Sequence, residues 1–299
     1  MDELTFFARP QWRSSVPALW IGPDRVRIGD DVILDRMTPQ HVDWIASLDG
    51  MRGTREILRT LPIPEEDAGR IVRALINAGA LRDASRLPAA LRWLSPMARE
   101  EAEARYEAAI DCYRDDVRAM AVMEGRHRAR IFVSANAAVR ELLHAVVLAS
   151  GMATTNSTRQ CDVAILADAP HPDIPRVFDE PAHVLPHVHV GILGSRAAIG
   201  PFVIPGRTSC LRCTHIHRTD GDSTWPLLAV QWTHRKPTRP DPLLAHLASV
   251  HAVALVRSFV DGEVDDIVDR AWQITLPSGA VTEARRPRHP LCGCGWLAA

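Results

Sequence analysis

Four of the six cysteines fall into two tight pairs, Cys210-Leu-Arg-Cys213 and Cys292-Gly-Cys294, with 78 residues between them. A tetrahedral zinc ion takes four thiolates, and two short pairs supply them from distant parts of one domain. Pro205-Gly206-Arg207-Thr208 turns the chain just before the first pair, and His289-Pro290-Leu291 leads into the second, where glycine lets backbone wrap closely around an ion. Disulfides are the rival reading, with Cys112 and Cys161 left standing alone. A site of four sulfurs leaves no open coordination position, so the expected zinc is a structural staple.

Composition bounds the rest. At 299 residues the chain suits two domains, each large enough for a core. A net charge of −1 and a pI near 6.9 give no overall pull toward nucleic acid or a membrane surface. No uninterrupted apolar run reaches 18 residues, and the acidic Met-Asp-Glu start does not read as a signal peptide. A cytoplasmic setting is therefore expected, and reducing conditions favour metal over disulfide.

Residues 1–87 read as a small α/β module. Strands are expected at Ala18–Ile21, Val26–Ile28 and Val32–Leu34, the first two separated by the turn Gly22-Pro23-Asp24. Helices follow over Thr38–Leu48, from an N-cap at Thr54, and from Pro64 to a stop at Gly79. Three strands and three helices at this length make a winged-helix-like unit, which binds DNA or peptide. Glu65, Glu66 and Asp67 precede Arg70 and Arg73 on the third helix and would repel phosphate, so peptide is favoured. An extended peptide needs only an open strand edge beside a helix.

The strand Val32-Ile33-Leu34, the helix end Leu48-Asp49-Gly50 and the closing Ala78-Gly79-Ala80-Leu81 resemble the precursor-peptide recognition element of ribosomal peptide biosynthesis. The resemblance implies a leader peptide lying against the third strand and third helix. Val32, Ile33 and Leu34 would then offer the strand edge, with Arg70, Arg73 and Asn77 flanking the groove. Strand faces alternate, so at least one of Val32 and Ile33 is plain core.

Residues 88–127 read as a helical connector. Tyr106, Ile110 and Tyr113 form a helical stripe in an arm expected to pack on the second domain, with Cys112 as a small buried hydrophobe. From residue 128 to 299, strands at Ala129–Val133, Val163–Ala167 and His187–Ile192 and a helix through Val139–Val147 give a parallel α/β pattern. His183, His187 and His189 hint at a metal, but no matching ligand accompanies them. His215 and His217 follow the first cysteine pair, where four thiols already suffice. An apolar helix over 240–260 suits a core or a subunit interface, and Pro277-Ser278-Gly279 marks a hairpin.

This second part resembles the ThiF-type adenylating fold, on its tetracysteine spacing and on Gly200-Pro201-Phe202-Val203-Ile204-Pro205-Gly206 before the first pair. The His289-Pro290-Leu291-Cys292-Gly293-Cys294 ending is similar to the ocin-ThiF-like, leader-peptide-binding proteins of thiazole/oxazole-modified microcin pathways. An active adenylating enzyme needs a glycine-rich turn that lets phosphate approach a helix N-terminus. Here the four glycine positions hold Ser134, Asn136, Ala137 and Val139. Between Gly151 and Cys161 there is no acid for a ribose and only Arg159 as a cation. Asp168 matches the family's magnesium aspartate, but Ala169 stands where asparagine is usual.

The reading is thus a non-catalytic adaptor. It would bind a precursor or client peptide and present it to a separate modifying enzyme, YcaO-type by resemblance, with a homodimer implied the same way. The alternatives are an ATP-dependent adenylyltransferase with an atypical site and a winged-helix DNA-binding regulator. The expected fold class is α/β: a winged-helix-like module plus a ThiF-like Rossmann-type domain with structural zinc.

Overall fold

The computed structural model describes residues 2–13, 15–86, 96–169, 185–235 and 239–294. Two compact units divide the chain, Met1–Met120 and Ala121–Ala299. The expected domain end at Leu87-Pro88 lies outside the described residues.

In the first unit, β1 (Pro10–Trp12) precedes a three-stranded antiparallel meander of β2 (Ala18–Trp20), β3 (Val26–Ile28) and β4 (Val32–Leu34). Then come α1 (Pro39–Ala46), α2 (Thr54–Arg59) and α3 (Glu65–Asn77), and β5 (Leu81–Asp83) returns antiparallel to β1. Strand alternation sorts the meander. Val26, Ile28 and Leu34 pack into a core with Trp44, Ile45, Leu48, Ile71 and Leu75, while Arg27 and Ile33 are exposed. α3 starts with Glu65, Glu66 and Asp67 in its first turn, where the helix dipole favours acids. It stops at Gly79, whose φ of +62° suits glycine; the Gly79 and Ala80 amides donate to the Ile76 and Leu75 carbonyls.

Two expectations change here. Thr54 is the first residue of α2 rather than its cap, which is Gly53. Its amide donates to the Ala8 carbonyl at 3.1 Å and its hydroxyl to Phe7, so it ties α2 to the N-terminal segment instead. The arm is also two helices, α4 (Pro96–Tyr113) and α5 (Asp116–Arg128). They break at Arg114, which has a φ of +54°, and the Asp115 carboxylate accepts the Val117 amide at the start of α5.

α4 belongs to the first unit and packs within it. The buried Arg13 donates to Glu107 and Asp111, both at 2.5 Å, and Arg82 also pairs with Glu107. Tyr106 and Ile110 are buried on this side. Cys112 is exposed, which corrects its assignment as a buried hydrophobe.

The second unit runs β6 (Arg130–Ala135), α6 (Ala137–Ala149), β7 (Ala153–Thr155), β8 (Val163–Ala169), β9 (His187–Leu193) and β10 (Arg196–Val203). It continues with α7 (Leu211–Gly221), α8 (Trp225–Thr233), α9 (Pro242–Val260), β11 (Arg270–Thr275) and β12 (Ala280–Arg285). Among the described residues the strands form one sheet in the order β12-β11-β10-β9-β8-β6-β7. β7, β6, β8 and β9 are parallel and β10 to β12 antiparallel, so the sheet is mixed.

α6 and α9 cover one face. Val139, Leu143 and Val147 of α6 meet Leu244, Ala248, Ala252 and Val256 of α9 over Ile131, Ile165, Val188 and Ile199. α9 alone among the described residues has the length and mean hydropathy (1.6) of a membrane span. Its packed stripe accounts for much of that apolarity, although Leu243 and Val250 remain exposed.

The end of α5 is pinned to the end of α9 by a two-pronged pair: Arg126 Nε and Nη2 donate to the two oxygens of Asp261 at 2.8 and 2.5 Å. Both side chains are nearly fully buried. Removing one partner of such a pair strands the other charge away from water. Arg126→Met should therefore lower unfolding free energy by about 3–5 kcal/mol in urea denaturation; a loss below about 1 kcal/mol would mean water reaches the pair.

Candidate metal centre and peptide edge

β10 delivers the chain to the first cysteine pair through a braced turn. The Thr208 hydroxyl accepts the Ile204 amide at 2.8 Å, and Asp269 accepts the Ser209 amide at 2.7 Å. Cys210 then caps α7, with Cys213 in its first turn. On the other side the Cys292 amide donates to the His289 carbonyl, closing the loop that carries the second pair.

These two segments bring four sulfurs together. Cys210 and Cys213 are 3.9 Å apart, Cys210 and Cys292 3.7 Å, and Cys213 and Cys294 3.5 Å. A disulfide bond is about 2.05 Å long, so none of these contacts is one. A tetrahedron with metal–sulfur bonds of about 2.3 Å has edges of about 3.8 Å, which these spacings match. The quartet could hold one metal ion.

The thiols of the quartet ionise unevenly. Burial, with the neighbouring sulfurs, pushes the Cys210 thiol up to about 11 and raises Cys294 as well. Burial also opposes ionisation of Cys213, but backbone amides of His289 and Cys210 outweigh it and lower that thiol. Several adjacent thiolates need a cation to offset them.

The nearby histidines have other employment. His215 accepts from the Trp225 indole at 3.1 Å, and His217 contacts the Pro287 carbonyl at 3.1 Å. His217, Asp220 and His289 do lie together. However, His289 Nδ1 accepts the Leu291 amide, so its Nε2 carries the hydrogen donated to Asp220 at 2.8 Å. That closed pair braces the cysteine loop. His187 and His189 are buried neighbours on β9 with no third donor beside them among the described residues; His183 lies outside these.

The turn after β6, where a nucleotide-binding relative would admit phosphate, is filled from within. The Asn136 side chain accepts the Val139 amide at 3.2 Å and so caps α6, and Arg140 donates to the Ala135 carbonyl at 2.7 Å. Val139 is buried in the core. β7, a strand missed in the sequence because it is three residues long, ends at Thr155 with no acid, and Arg159 lies in a short exposed turn. The Asp168 side chain lies outside what is described. Asn before the first apolar residue of a helix was a readable cap signal. Asn136→Ala should cost about 1 kcal/mol in chemical denaturation, and no loss would mean the cap is idle.

In the first unit, β4 is the outer strand of its meander, paired among the described residues only to β3, and it packs beside α3. Ile33 is exposed (42%), Val32 half-buried and Leu34 buried in the core. Leu34 thus offers backbone only. Arg70, Arg73 and Asn77 share one stripe of α3 at helical spacing; Arg73 and Asn77 are exposed. Arg70 is half-buried, donating to the Asp35 carbonyl just past β4 at 2.7 Å and pairing with Asp67 at 3.1 Å. It links α3 to the end of β4. Exposed Leu19 lies across Arg27 from Ile33 in the same row, an outward apolar pair not anticipated from the sequence.

The chain matches no family model and no curated protein. Among solved structures, a heterocyclase in complex with substrate and cofactor aligns with a TM-score of 0.64 at 15% identity. The heterocyclase TruD aligns at 0.62 and 15%. Each alignment covers 96% of this chain but only 39% and 43% of those chains, so this chain spans about two fifths of their length. Escherichia coli MccB, crystallised with AMPCPP and MccA, aligns at 0.60 and 11% identity over 96% of this chain and 99% of that one. The chain therefore shares the mixed α/β fold of these heterocyclase and MccB structures.

Proposed function

We propose that this protein is a peptide-binding adaptor without adenylating activity. It would hold a precursor peptide in extended form along β4, beside α3, and present it to a separate modifying enzyme. One observation carries the reading: β4 has an unpaired edge next to an exposed helical stripe bearing Arg73 and Asn77. An added strand gains backbone hydrogen bonds there, and side chains at alternate positions meet α3. The likeness to MccB, described as a microcin C7 biosynthetic enzyme and captured with N-formylated MccA, supports a peptide partner.

The absence of chemistry rests on the self-capped start of α6 and on the missing acid after β7. The heterocyclase chains carry more than half their length beyond the part this chain matches. A separate enzyme of YcaO type would supply that remainder. The cysteine quartet is proposed to hold structural zinc through Cys210, Cys213, Cys292 and Cys294, closing the second unit. It would supply no open coordination site for a reaction. The setting is proposed to be cytoplasmic and the protein homodimeric.

For the metal, purified protein should carry one zinc per chain by elemental analysis, and Cys213→Ser with Cys292→Ser should abolish it and lower the melting temperature. Metal-free protein of unchanged stability would remove the staple. For the peptide, display selection on the full chain should yield binders that slow amide exchange across residues 31–35. Ile33→Asp or Arg73→Glu should weaken them about tenfold or more. Binders indifferent to both substitutions would place the groove elsewhere.

A further inference from the structure

On the sheet face that carries α7, a cavity of about 330 Å3 opens between that helix and the antiparallel strands β10 to β12. That volume suits a small molecule. Its floor is made of small residues, Ala198, Ala271 and Ala284. At Gly200, with a φ of +106°, the chain passes so close to β11 that a Cβ would sit 2.9 Å from the Arg270 carbonyl oxygen.

The chemistry of the walls is one-sided. Arg196, Arg218 and Arg286 line the cavity, and no acidic residue does. Arg218 is held flat on the Trp225 ring, its guanidinium carbon 4.7 Å from the ring centre. Nearby acids are engaged elsewhere: Asp269 accepts the Ser209 amide, Glu283 pairs with Arg270, and Asp220 accepts a hydrogen bond from His289. Among the described residues, neither Arg196 nor Arg286 makes a side-chain hydrogen bond or ion pair.

Thr214, also in the wall, is 5% exposed, and its hydroxyl oxygen has no hydrogen-bond partner. A buried hydroxyl left unpaired costs about 1–3 kcal/mol unless a ligand or water completes it. It thus marks a position where a polar atom belongs.

We infer that this cavity is an oxyanion-binding site for the phosphate group of a small molecule. The guanidinium groups of Arg196 and Arg286 call for more than one negative charge, and their planar forks pair bidentately with phosphate oxygens. A tetrahedral oxyanion also offers a further oxygen to the Thr214 hydroxyl, where a planar carboxylate has only two. The site is not the nucleotide position of adenylating relatives. β10 lies three strand spacings from β6, roughly 14 Å, on the far side of β9 and β8. Its residues belong to the second unit and those of the peptide edge to the first, so the two assignments can fail independently.

Pyrophosphate is the direct probe. Titrated into the full chain at constant ionic strength, it should bind saturably with one site per chain by calorimetry. Arg196→Gln with Arg286→Gln should weaken it about tenfold or more, and Arg286→Lys less than Arg286→Gln, because a lysine keeps the charge without the fork. Thr214→Val should cost about threefold. Three results would overturn the assignment: no saturable binding, binding indifferent to the double substitution, or binding of succinate but not of pyrophosphate.

Discussion

Four sulfurs, each within 3.9 Å of another, fix the ends of a 78-residue excursion that holds α7, α8, α9 and the β11–β12 hairpin. Without that closure, α7 would meet the C-terminal loop only through weaker contacts such as the Asp220–His289 pair. A metal ion there would tie the two cysteine pairs together and offset the charge of its thiolate ligands.

Closure in one place contrasts with vacancy in another. At the start of α6, the Asn136 side chain caps the Val139 amide and Val139 sits in the core. At β4 the reverse holds: a strand edge lies open next to exposed Arg73 and Asn77. An element already hydrogen-bonded has little to gain from a ligand, whereas an open edge gains a whole ladder. That difference favours peptide binding over nucleotide chemistry.

Much of this was legible in the sequence where short-range chemistry decides it. α3 announced itself through its acidic first turn and the glycine after its end, and the β11–β12 hairpin through Pro277-Ser278-Gly279. The cysteine spacing foretold the sulfur cluster. What stayed hidden depends on residues far apart. β1 and β5 are three residues each and pair across about seventy positions, so neither carries a periodic signal. Nothing near Arg13 reveals that Glu107 and Asp111 will bury it, and without that pairing the packing of α4 cannot be inferred. Strand alternation left open which of Val32 and Ile33 faces inward; Ile33 is the outward one, and the exposure of Leu19 beside it required the register.

ATP–pyrophosphate exchange by the metal-loaded full chain tests the central claim most directly, since it reports adenylate formation whatever modification the peptide goes on to receive. Assayed with magnesium, ATP and a peptide shown to bind, the account predicts exchange no faster than in a protein-free control. Exchange above that background, saturating with ATP, would contradict it.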